Sequence, residues 1–126
     1  MTNSKLISYT TRDFLTENEL ELYVKMQDEI YTPDVIDEFI RSWLLRRVLT
    51  KVWNKKGASK VAILFEYKDD QSFVACQKLL EKYHHPKVKN FVNKVFGTRG
   101  TVLHQFTADE FSWQFWYIKW IFNHVA

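Results

Sequence analysis

Few side chains in this sequence could do acid–base, nucleophilic or metal chemistry. The chain offers four histidines, His84, His85, His104 and His124, and one cysteine, Cys76. Neighbouring His84 and His85 point in different directions on any regular element. No histidine pair at i, i+4 and no Cys-x-x-Cys exists, so no metal site assembles locally, and none is expected. Cys76 lies among Val74 and Leu79, where a thiol packs as a small apolar group. The acid pairs Asp69–Asp70 and Asp109–Glu110 stand at the start of apolar segments and read as helix caps. Gly97-Thr98-Arg99-Gly100 could hold an anion on backbone N–H groups, and a loop turn explains it as well. With no nucleophile elbow, phosphate loop or dinucleotide fingerprint, the sequence assigns no catalytic residue and no cofactor. An enzyme would have to gather distant histidines and acids into one deep pocket.

Binding surfaces are better marked. Basic residues exceed acidic ones by only 18 to 15, so distribution carries more than the sum. Nine acids fall between Asp13 and Glu38, then none until Glu66. Arg47, Lys51 and Lys55 stand at i, i+4 and i+8, which on a helix would meet successive phosphates, and Lys56 follows. A second acid-free run carries Lys87, Lys89, Lys94 and Arg99. Near the C-terminus, Phe111, Phe115, Ile118 and Phe122 form one helical stripe, while Trp113, Trp116, Tyr117 and Trp120 form another nearly opposite. Such a helix is either buried in the fold or offers its Trp/Tyr stripe to a partner.

These groups need elements to hold them. Residues 1–12 are polar and aperiodic and read as a tail. Thr16 with Glu19 makes a capping box for helix A, 17–31. Thr32, Pro33 and Gly57 bracket helix B, 33–56, although its apolar stripe changes sides near Leu44. Alternation predicts a strand at 60–67 and a shorter one at 101–106. Helix C, 71–83, is interrupted by Pro86, helix D, 87–96, stops at Gly97, and helix E, 108–123, opens with a second capping box, Thr107 with Glu110.

The expectation is a single α+β domain, 1–126, mostly helical, with five helices and two short strands. Met1–Ser8 lacks the apolar run of a secretion signal, no stretch is long enough to span a bilayer, and a lone cysteine makes no internal disulfide, so the reading is cytoplasmic, without integral membrane contact. The function it suggests is a non-enzymatic, regulatory or inhibitory binding module. Its partner would be another protein or a second copy, met through Trp113, Trp116, Tyr117 and Trp120 or through the basic surface. The alternatives are direct DNA or RNA binding through Arg47, Lys51, Lys55, Lys56, Lys87, Lys89, Lys94 and Arg99, and a small enzyme with a site built from distant His and acidic residues.

Overall fold

The computed structural model describes residues 5–125, and of residues 109–115 and 125 it describes the backbone alone. Its centre is a four-stranded antiparallel sheet in the order β2-β3-β1-β4, formed by β1 (Leu6–Phe14), β2 (Leu44–Lys51), β3 (Ser59–Tyr67) and β4 (Asn93–Thr101). One face carries the helices α1 (Glu17–Ile30), α2 (Pro33–Arg41), α3 (Asp70–Leu79) and α4 (His85–Val88), and α5 (Ala108–Val125) follows the sheet. Taken up to β4, this is the ferredoxin-like α+β arrangement. It corrects the mostly helical, two-stranded expectation.

Each correction has a local cause. The segment read as a tail supplies β1, one of the two middle strands. Its inward positions are Leu6, Ser8, Thr10, Arg12 and Phe14, as their register with Tyr67, Phe65, Ile63, Val61 and Ser59 shows. Three polar residues on the inner face erase the period of two that would have announced a strand. Helix B divides into α2 and β2 because Trp43 takes a left-handed φ of 67°, a conformation no helix continues through. The Trp43 carbonyl instead accepts the Lys68 N–H at 3.1 Å. Beyond it Arg47 pairs with Phe65, Leu49 with Ile63 and Lys51 with Val61. The stripe that changed sides at Leu44 was a helix face passing into a strand.

Helix C does not stop before Pro86. It passes from α3 into a π-helical turn, Leu80–His84, in which the His85 N–H donates to the Leu80 carbonyl five residues back. A proline ring collides with the carbonyl four residues before it, and the widened turn gives Pro86 room to sit inside α4. Helix D is replaced by this single turn and by β4, with Gly97 mid-strand opposite Thr10. The strand expected at 101–106 ends at Thr101.

α1 begins where the capping box places it, the Thr16 hydroxyl accepting the Glu19 N–H at 3.2 Å, and Thr32 accepts the Val35 N–H at the start of α2. The core lies between helices and sheet, with Tyr23, Phe39, Val61, Tyr67 and Cys76 fully buried. Full burial of a side chain such as Phe39 contributes about 1.5–3 kcal/mol.

Candidate functional site

The inner face of the sheet is not filled to its edges. Ser8, Thr10 and Arg12 of β1, Arg47 of β2, Ile63, Phe65 and Tyr67 of β3, and Val95, Gly97 and Arg99 of β4 floor a cavity of about 220 Å³. Its roof is Phe73, Gln77, Leu80, His84 and His85. Gly97 keeps the floor low, since a Cβ there would rise 3.7 Å from Thr10 Oγ1.

The π turn sets His84 into this space, 4% exposed. Its Nε2 lies 3.1 Å from the Tyr23 hydroxyl of α1, and the Arg12 guanidinium lies 5.3 Å from the centroid of the Tyr23 ring. With the hydroxyl donating to Nε2 the proton of the neutral imidazole resides on Nδ1, and the opposite tautomer reverses the bond. Burial, reinforced by Arg12, His85 and Arg47, pushes the His84 pKa down to about 3, so the ring is uncharged near neutrality. Burial likewise raises the Tyr67 hydroxyl well above the ordinary tyrosine range.

Gln27 of α1 braces the other side. Its Nε2 donates to the Tyr23 carbonyl at 3.1 Å, and its Oε1 accepts from Arg47 Nη2 at 2.7 Å. Arg47 also lies 4.1 Å over the Tyr31 ring, Arg12 Nη1 donates to Asn93 Oδ1 at 3.3 Å, and Arg99 lies 4.9 Å over Phe73.

Two features of this cavity point to a ligand. Arg12 Nε, Arg47 Nε and His84 Nδ1 are all buried without a hydrogen-bond partner, and the Tyr67 hydroxyl has Gln77 beside it. Each unpartnered group costs about 1–3 kcal/mol, and the two guanidinium Nε–H groups can only donate. The second feature is charge. Among the described residues no carboxylate lines the cavity. Of the chain's five arginines, the two outside it pair with carboxylates, Arg41 with Asp37 at 3.0 Å and Arg46 with Glu66 at 3.4 Å. The three lining it, Arg12, Arg47 and Arg99, have neutral and aromatic partners among the described residues. Guanidinium charge cannot be neutralised by deprotonation, and unpartnered donors on uncompensated cations are the chemistry that can receive an anion.

The residues singled out in the sequence are scattered. The line Arg47–Lys51–Lys55 does not exist: Arg47 and Lys51 face the helices from β2, Lys51 paired with Glu17, while Lys55 and Lys56 lie exposed in the turn toward β3. Lys87 and Lys89 flank the end of α4, and Lys94 faces the opposite side of the sheet from the cavity. Only Arg47 and Arg99 of that set reach the cavity. On α5, Trp116, Tyr117, Ile118, Trp120 and Phe122 are all more than half exposed, and the Trp113 side chain lies outside the described residues. His84 and His85 do meet in a cavity, without an acid. His104 and His124 stand exposed away from it. Arg12, Tyr67 and Gln77 were missed, because an isolated arginine in an aperiodic segment carries no sequence signal. Among the described residues no cluster of three or more His, Cys, Asp or Glu could hold a metal ion, and no helix is long and apolar enough to cross a membrane.

Comparison with known proteins follows the same outline. Residues 3–102 match the family described as Domain of unknown function (DUF6974). A dimeric ferredoxin-like protein from an uncultured marine organism is 31% identical over 82% of this chain and 99% of its own, with a TM-score of 0.74. A second dimeric ferredoxin-like protein of that provenance is 27% identical over the same shares, also at 0.74. A putative antibiotic biosynthesis monooxygenase from Nitrosomonas europaea shares the fold at 10% identity, covering 85% of this chain and 98% of its own, with a TM-score of 0.64. No curated protein matches the sequence.

Proposed function

The chain belongs to the family of domain of unknown function DUF6974, and we propose that this member binds a small organic anion in the cavity between its sheet and helices. The observation that carries the reading is three lining arginines, two of them with a buried Nε–H left without a partner, and no carboxylate among the described lining residues. At about 220 Å³ the space is below the ~300–1,000 Å³ of pockets for drug-sized ligands, so the ligand is compact. Binding thus moves from the outer surface, where sequence reasoning put it, to the interior. Calorimetry with a panel of small monocarboxylates tests it. Arg12→Met and Arg47→Met should each weaken binding about 10–100-fold, the equivalent of losing a charged hydrogen bond worth ~1.5–3 kcal/mol. Unchanged affinity in both variants contradicts it.

Turnover of the bound anion is a second reading, favoured by the Tyr23–His84 pair. A neutral His84 held by the Tyr23 hydroxyl at Nε2 can exchange a proton with a ligand atom at its other ring nitrogen, Nδ1. A neighbour described as a putative antibiotic biosynthesis monooxygenase is in keeping with this reading, and at 10% identity it carries no further argument. Ligand hydrogen exchange in D₂O, followed by NMR and lost in His84→Gln, would support turnover. Exchange at equal rates in the variant would exclude His84 from it.

Self-association is the partner reading we favour, because both solved relatives above are dimeric ferredoxin-like proteins. The surface for it is the sheet face turned away from the helices. There Tyr9 and Phe96 are exposed by 51% and 68%, with Ile7, Val48 and Leu64 half-buried beside them.

A further inference from the structure

The cavity is cationic at two separate places. Arg47, Phe65, Ser8 and Arg99 stand in one register row across the sheet. Three strand spacings of ~4.8 Å therefore put the Arg47 and Arg99 backbones roughly 14 Å apart, with the cavity between them. The inner cationic end is half-buried Arg47 with half-buried Arg12 and buried His84. Arg99 and His85, both exposed, mark the mouth, where the Arg99 guanidinium leans 4.9 Å over Phe73 of the roof. Between the ends the lining is Phe65, Tyr67, Leu80 and Val95. Each lining cation is an arginine, although the chain holds 13 lysines to five arginines. Arginine is the side chain whose planar fork matches a carboxylate in two parallel hydrogen bonds.

Resting on the anion reading above, we propose that the ligand is a compact dicarboxylate: one carboxylate is received by Arg12, Arg47 and His84 at the inner end, its short apolar body lies against Phe65, Leu80 and Val95, and the second carboxylate is received by Arg99 at the mouth. A monoanion satisfies the inner end alone. A dianion also engages Arg99, which has no carboxylate partner among the described residues. Arg99 is then a specificity residue: it selects for the second charge without being needed for the first.

Calorimetry at low salt tests this with α,ω-dicarboxylates of three to eight carbons and the three benzene dicarboxylates, each against its half-amide. For the preferred diacid, wild type should bind at least ~10-fold more tightly than the half-amide, the difference a single charged hydrogen bond makes. Arg99→Met should remove that preference and leave half-amide affinity unchanged, whereas Lys94→Met, an equal charge loss on the far sheet face, should preserve both. Equal affinity of wild type for diacid and half-amide overturns the dicarboxylate inference while leaving the anion reading intact. So does an Arg99→Met variant that binds both ligands more weakly by the same factor. Binding of no panel member, with wild type folded, overturns both.

Discussion

His84→Gln should flatten the pH dependence of stability between pH 7 and pH 5. In the folded protein burial holds the His84 pKa down at about 3, whereas in the unfolded chain it returns to ~6.5. Between these values the unfolded chain holds the extra proton, so stability from this group rises with pH. It is fully present above ~6.5 and is lost as pH falls toward about 3. At pH 5 the unfolded histidine lies ~1.5 units above ambient pH, and at ~1.36 kcal/mol per unit the loss is about 2 kcal/mol relative to neutrality. The figure requires only that His84 stays uncharged at pH 5 in the fold. Glutamine keeps a polar group near Tyr23 and cannot titrate, and the carboxylates common to both proteins cancel in the comparison. Urea unfolding followed by tryptophan fluorescence at pH 7 and pH 5 is the assay. Wild type should lose about 2 kcal/mol more than the variant over that interval. Equal losses would mean that His84 is protonated in the fold, and the picture of a neutral histidine held between arginines would fail.

Tyr67→Phe removes a buried hydroxyl that lies beside Gln77 in the cavity wall, so it should weaken binding of organic acids while changing stability in urea unfolding by no more than ~1–3 kcal/mol; unchanged affinity would place the hydroxyl outside the site. Burial pushes the Cys76 thiol up to about 11, so it should resist alkylation at pH 8 until denaturant is added, and rapid modification of the native protein would contradict its placement. Phe96→Glu on the open sheet face should shift sedimentation from dimer to monomer with the fold unchanged. On α5, Trp116→Ala with Trp120→Ala should leave the melting temperature of the domain unaltered, both residues being more than half exposed, and a cooperative loss of structure would mean that this helix is part of the core.

The elements that could be read from the sequence are those whose apolar period runs unbroken. α1 has a side-chain cap and a clean face, and β3 places Val61, Ile63, Phe65 and Tyr67, all buried, at every second position. The other three strands were hidden by the cavity. Ser8, Thr10 and Arg12 in β1, Arg47 in β2, and Gly97 and Arg99 in β4 occupy inward positions where a sheet normally shows apolar residues. Polar residues there blank the signal of the strand that holds them, which is where local rules are expected to fail. Trp43 hid the break in helix B, because a bulky residue gives no hint of positive φ. The site itself could not be read either: its arginines come from three strands separated by up to 87 positions, and only the pairing register brings them together.

The most direct test is NMR of the arginine Nε–H groups during titration with a small organic acid. The Arg12 and Arg47 signals should shift on binding and exchange more slowly with water, while those of Arg41 and Arg46, already paired outside the cavity, stay in place. Shifts of equal size at all five arginines, or none at Arg12 and Arg47 under saturating acid, would contradict an anion site in the cavity.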